Sequence, residues 1–311
     1  FEKVGNHIVT LHNLDRFSPQ AISNTVWAYA TAQESHPMLF EKVADHIVTL
    51  DHLNSFNPQN LSNTVWAYAT AGVSHPKLFQ KLAGTAIKRQ NEFIPQEIVN
   101  FLWASATNGE IDQNLFVSLT PSVKANLDKY NEQGLANIAW AYAVANVAAP
   151  SVFDDKFLDV CIKKEDEFIV DELTQLYQWQ LWQQQNELQS NLQLPQSLQR
   201  KCYDAFISQV PEPSKLQDDV ISELTSIGLE PEEEVLTKSG YRLDAVVEVN
   251  GKHVGVEVDG PYHFIGRQPK GRTILKHRQI PNLDGIPLVS VPYWEWNKLK
   301  KDSKKKQQYL C

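Results

Sequence analysis

Two hydrophobic rhythms divide the chain. Over the first part, apolar residues return every three or four positions, as in Phe40, Val43, Ala44, Ile47, Val48 and Leu50, which is the spacing of one helix face. Near the other end, from Leu243 to Val258, apolar and polar positions alternate, as they do in a β-strand with one covered face.

The helical rhythm is itself periodic. FEKVGNHIVTLHNLDRFSPQAISNTVWAYATAQESHPML returns as FEKVADHIVTLDHLNSFNPQNLSNTVWAYATAGVSHPKL, and looser copies start at Phe79, Phe116 and Phe153. The intervals between the leading Phe residues are 39, 39, 37 and 37, within the range of helix-pair solenoids. An α-solenoid of about five repeats is therefore predicted over residues 1–188. In each unit a short amphipathic helix precedes a second one. The second opens at Ser18-Pro19 or Asn57-Pro58 and closes near Gly72 or Gly109.

Two columns of the repeat carry chemistry. Trp27, Trp66, Trp103 and Trp140 share one position, which Gln178 takes in the fifth copy, and an aromatic flanked by alanines at helical spacing is expected in the core. Asn24, Asn63, Asn100 and Asn137 stand three residues earlier. Asparagine is a poor helix-interior residue, so its return requires a cause. Either the side chain bridges to the next repeat's backbone, or its amide reads a base edge.

From Leu173 onwards the composition shifts to glutamine, with Leu173, Leu176, Tyr177 and Leu181 keeping the helical period. A helical linker is expected over 189–213, with one helix opening at Pro195 and ending before PEPS. A small α/β domain follows over 214–311 in the order α-β-β-β-α-β. Its predicted elements are a helix at 214–227, strands near 233–238, 242–249 and 253–259, a helix at 270–280 and a strand at 286–291.

Asn250-Gly251 predicts a tight hairpin turn, because both residues tolerate positive φ. Pairing outward sets Val249 against Lys252, Glu248 against His253 and Asp244 against Glu257. Alternation sends Ala245, Val247, Val249, Val254, Val256 and Val258 to a core face, and Asp244, Val246, Glu248, His253, Gly255, Glu257 and Asp259 to the other. Opposed carboxylates destabilise a sheet unless a cation or a bound proton offsets them. Asp244, Glu257 and Asp259 would suit Mg²⁺ or Mn²⁺; as an alternative, they are scattered acids on a solvated face. In the loop beyond, Tyr262, His263 and Phe264 are placed to meet a base or to fill the core.

Composition adds three limits. The net charge of −8 is uneven: residues 1–195 hold 12 Lys and Arg against 21 Asp and Glu, whereas residues 238–311 hold 14 against 7. A basic run of Arg267, Lys270, Arg272, Lys276 and Arg278 beside the acidic face fits phosphate contact, as it would a solvated helix. Cys161, Cys202 and Cys311 have no metal-ligand spacing and suggest a reducing compartment. The sequence has no apolar run long enough to span a membrane. It opens inside a repeat at Phe1, so any targeting segment is expected upstream.

The blocks RLDAVVEVNGKHVGVEVDGPYHF, TILKHRQI and IPLVSVPYWEW resemble a RAP domain. RAP domains are in turn similar to the restriction-endonuclease-like fold of very-short-patch-repair nucleases, whose signature is an Asp, a gap, then Glu-x-Lys. Asp244 and Glu257 match the two acids, and Asp259 stands where the lysine would be. Lys276 or Arg278 could supply that charge from the next helix, with His263 as a base. The repeat unit LSNTVWAYATAG is similar to the octotricopeptide repeat, and the whole arrangement to FAST-kinase-like proteins. Together these resemblances imply an RNA-binding factor of mitochondria or plastids, acting in RNA processing, stability or translation. Its concave face would bind single-stranded RNA, and its RAP domain would cleave RNA with Mg²⁺ or Mn²⁺. They also leave open a non-cleaving module for RNA ends and a structural subunit of a ribonucleoprotein such as the ribosome.

Overall fold

A computed structural model describes residues 1–186, 192–209 and 214–310. The repeats form helix pairs in register with the sequence period. The first helices of the five units are α1 (Glu2–Thr10), α3 (Pro37–Thr49), α5 (Pro76–Lys88), α7 (Gln113–Ala125) and α9 (Asp155–Lys163). The second helices are α2 (Pro19–Thr31), α4 (Pro58–Ala71), α6 (Pro95–Asn108), α8 (Glu132–Ala145) and α10 (Val170–Gln185). The boundary signals act as the sequence predicts: Ser18 and Asn57 cap α2 and α4 by accepting N–H bonds, and Gly72 and Gly109 close α4 and α6 with φ of 64° and 70°.

Within a unit, an aromatic clamp ties the two helices together. Tyr29, Tyr68 and Tyr142 donate their hydroxyls to the carbonyls of Phe1, Phe40 and Phe116, and each ring meets its Phe edge to face. Between units, the second helices pack closely on one another and the first helices stand farther apart, so the stack curves with the second helices inside. The tryptophan column departs from the expected core placement. Trp27 is 43% exposed and Trp66 and Trp103 are half-buried, while Trp140 is buried because the terminal domain covers it.

Helix α11 (Gln196–Ile207) lies against α10, and its Leu198 and Cys202 join the solenoid core. The PEPS stop falls partly outside the described residues, as does Cys311.

The terminal domain begins with α12 (Lys215–Ser226), capped by Ser214. A four-stranded sheet follows in the order β1 (Glu232–Leu236), β2 (Arg242–Val249), β3 (Lys252–Asp259), β6 (Leu288–Pro292). The first three strands are antiparallel; α13 (Gly271–Asp284) crosses over so that β6 lies parallel to β3. Three elements go beyond the sequence reading. A small hairpin, β4 (Phe264–Ile265) with β5 (Gln268–Pro269), precedes α13, and helices α14 (Tyr293–Lys298) and α15 (Ser303–Leu310) end the chain. The lysine-rich tail is thus helical, with Lys306 buried over Trp296 and paired to Asp219.

The hairpin turns at Asn250-Gly251, both at positive φ, and Val249–Lys252 and Glu248–His253 pair as expected. The β2–β3 ladder ends at Ala245–Val256, one step before the expected Asp244–Glu257 pair. The Val258 N–H goes to Asp244 Oδ2 at 2.6 Å instead, so a side chain closes that end of the ladder. The sheet is covered on both faces, unlike the one-sided burial that alternation suggests. Ala245, Val247, Val256 and Val258 pack on α12, whereas Leu243 and Val246 join Tyr241, Ile280 and Phe206. The acids at the end of β3 are consequently buried rather than solvated.

Candidate active site

Glu257 and Asp259 occupy alternate positions of β3, so their side chains leave the same side of the strand. Both are fully buried. Opposite them, α13 presents Lys276 and His277, and β6 presents Ser290 next to Glu257 in the parallel register. Lys276 Nζ lies 2.5 Å from Glu257 Oε2. The other oxygen, Glu257 Oε1, has no hydrogen-bond partner. Asp259 is heavily engaged: its Oδ1 lies 2.6 Å from His263 Nδ1, and its Oδ2 accepts from the Ser290 hydroxyl. His277 Nε2 is 3.2 Å from the same Oδ2 but off the axis of a hydrogen bond, so this buried nitrogen too is unpartnered.

Two carboxylates on one strand thus have opposite proton affinities. Burial pushes Glu257 up to about 8; Lys276 opposes that rise, and Asp244 and Asp259 add to it. For Asp259, burial is outweighed by the hydrogen bonds of His263 and Ser290 and by the nearness of His277, which hold the carboxyl well below its usual range. Asp244 is raised, chiefly by burial, with Lys276 acting against the rise.

In front of these groups opens a cleft of about 740 Å³. Asp244, Asp259, His263 and Lys276 line it, Arg242, Lys270 and Arg272 supply cationic walls, and Phe206 of α11 and Gln209 just beyond that helix close one side. Tyr262, 87% exposed, stands on its wall, while Phe264 is buried against Trp294. Glu257 and His277 do not line the cleft. They lie behind it, reached through Asp259 and Lys276.

Residues 256–311 match the family model of the RAP domain. The chain carries a RAP domain. Residues 1–154 match the family described as RNA-editing substrate-binding complex 6 protein, so the chain is a RAP-domain protein with N-terminal helical repeats. No curated protein matches it. The RAP match starts at Val256, so it takes in Glu257, Asp259, His263, Lys276 and His277, and leaves Asp244 outside.

The structure sorts the remaining sequence candidates by place. Of the three acids read as a metal set, Glu257 and Asp259 come together, but the third member within 4.8 Å is His277, not Asp244. Sequence reasoning missed His277 because the group forms only when the crossover lays α13 beside β3; its neighbour Lys276 drew attention by charge alone. The donor set suits a divalent cation: two buried carboxylates, one with an unpartnered oxygen, and an imidazole nitrogen with no hydrogen bond. In the basic run, Arg267 and Arg272 are exposed and Lys270 is half-buried at the start of α13. Arg278 instead turns away from the cleft, donating to Val144 O at 3.1 Å and to Ala143 O at the end of α8. The asparagine column makes no bridge to a neighbouring backbone. Asn100 accepts from Gln96 of its own helix, Asn137 accepts from Gln175 of the next repeat, and Asn24 is exposed.

Proposed function

We propose that the protein is an RNA-binding factor of RNA processing, of mitochondria, whose RAP-domain cleft holds an RNA phosphodiester and cuts it with help from a divalent cation. The observation that carries this reading is the pair of groups on the cleft floor, His263 held by Asp259 and, beside it, Lys276. The family matched by the repeats is described as part of an RNA-editing substrate-binding complex, which supports RNA as the polymer and other proteins of such a complex as partners.

Each group has a task that its position supports. Lys270, Arg272 and Arg242 would take the phosphate oxygens, and Tyr262 offers a ring face for an unstacked base. Asp259, held ionised, fixes the orientation of His263 so that its second nitrogen can accept a proton from the attacking oxygen. Lys276 stands where charge grows on the phosphoryl group. A divalent cation bound beside Glu257 and Asp259 would add positive charge and acidify a water. The missing lysine of the nuclease signature is then supplied by α13, and Asp259 in its place serves to orient the imidazole.

A second reading, a module that grips RNA without cutting it, is favoured by Lys276 lying on Glu257 and by Glu257 standing behind the cleft. Labelled single-stranded and hairpin RNA incubated with Mn²⁺ or Mg²⁺ separates the two. Cleavage that falls about 100-fold or more in Asp259→Asn and His263→Ala, with the gel shift kept, supports the catalytic reading. RNA that stays intact while shifted by the wild-type protein establishes the binding module.

A further inference from the structure

We infer that Glu257, Asp259 and His277 form a metal centre selective for divalent ions that accept an imidazole ligand, such as Mn²⁺ or Co²⁺, over Mg²⁺. Three observations meet at one place. The ligand atoms lie within 4.8 Å of one another, Glu257 Oε1 is fully buried without a partner, and so is His277 Nε2. A buried carboxylate oxygen and a buried ring nitrogen, each without a hydrogen bond, belong to residues whose ligand atoms gather at one place, and one bound cation would partner both.

Charge is compatible with the same assignment: the two ligand carboxylates, Glu257 and Asp259, face one ammonium, that of Lys276. Lys276 need not leave, because it occupies Glu257 Oε2 and the unpartnered oxygen is Oε1.

The nitrogen ligand sets the preference. Mg²⁺ favours oxygen donors and retains its waters, while imidazole binding strengthens along the series from Mn²⁺ to Co²⁺. His277 comes from α13 and the carboxylates from β3, so the site depends on the crossover packing that holds the two together. The ion would sit behind the cleft, with Asp259 spanning from it to His263.

This assignment deepens the proposed phosphodiester chemistry, yet it is tested on the full chain without RNA, so the two can fail separately. Co²⁺ absorption bands and Mn²⁺ titration followed by electron paramagnetic resonance give the affinities, with competition by Mg²⁺. Loss of about tenfold or more in Mn²⁺ and Co²⁺ affinity is expected in His277→Ala and Glu257→Gln, with Mg²⁺ competing weakly in the wild type. Asp244→Asn serves as the comparison and should keep Co²⁺ bands of wild-type shape; melting curves confirm that each variant is folded. Equal Mn²⁺ affinity in folded His277→Ala, or Mg²⁺ competing as well as Mn²⁺, overturns the assignment. Metal binding through His277 with no RNA cleavage leaves the centre standing and removes the nuclease reading.

Discussion

At the scale of single residues, the end of β3 shows how little of a carboxylate's behaviour is set by its own chemistry. Glu257 and Asp259 share a strand face, yet one holds its proton to about pH 8 and the other gives it up early. The consequence for stability has opposite signs. The folded Glu257 binds its proton more tightly than an unfolded glutamate, so its contribution is full below about pH 4.5 and is lost as pH rises through about 8. Asp259 contributes above the unfolded carboxylate range and loses that contribution only in strong acid. In EDTA, Glu257→Gln should therefore raise Tm at pH 8, and the gain should shrink toward pH 5; a gain independent of pH would remove the burial argument. Both acids were legible in the sequence through strand alternation. Their burial was not, since alternation gives the face of a residue but not the helix that covers it. His277 was illegible for the same reason.

At the scale of elements, α13 decides how the two halves meet. Its first residue, Gly271, lies so close to α6 that a Cβ there would fall 2.3 Å from Ala106 O and 3.0 Å from the Trp140 ring. On the facing side, a Cβ at Gly109 would fall 2.6 Å from Pro269 O. Gly72 and Gly109 end equivalent helices with nearly the same φ, but Gly72 has nothing near its missing Cβ. Alanine at Gly72 should thus cost about 1 kcal/mol for the left-handed backbone alone. Alanine at Gly109 should cost a further ~1–3 kcal/mol from overpacking against the RAP domain. Equal Tm shifts in the two variants would mean that the contact with Pro269 is not made in solution. The helix pairs of the solenoid were legible from the period, and the starts of α2 and α4 and the ends of α4 and α6 from their caps. The docking was not, because a glycine reads alike in sequence whether it serves a helix end or a neighbouring domain.

Across the whole molecule, the apolar joint between the halves encloses a closed ring of polar side chains. Trp140 donates to Gln178, Gln178 donates to Tyr241, Tyr241 donates to Gln279, and Gln279 donates back to the Gln178 carbonyl. A buried network with its members satisfied specifies one arrangement, and Gln178 in the tryptophan column marks where the solenoid stops and the RAP domain is received. The inner face left uncovered carries Trp27, Trp66 and the asparagine column. Asn63 is half-buried and has no side-chain hydrogen bond among the described residues, so Asn63→Ala should change stability by no more than about 0.5 kcal/mol. If the inner face holds RNA, the same variant should weaken RNA binding; a large fall in Tm would make the column structural.

The charge imbalance between the halves is spent in two ways, and salt dependence separates them. Part of the excess of Lys and Arg in the RAP domain serves the fold: Arg278 takes the last carbonyls of α8, where the helix dipole is negative, and Lys306 pairs with Asp219. Among the described residues, Lys270 and Arg272 line the cleft without a carboxylate partner, and Arg272 donates to the neutral Gln209 at 2.6 Å. Cations that meet phosphate release counterions from single-stranded RNA, so log affinity falls with log salt by about 0.7 for each contact. Replacing both Lys270 and Arg272 with alanine should therefore reduce the slope by about 1.4 with little change in Tm. Arg278→Ala should do the reverse, lowering Tm by freeing the end of α8 while the slope stays as in the wild type. An unchanged slope in the double variant would place the RNA phosphates away from the cleft, on the exposed lysines of α15 or on the solenoid.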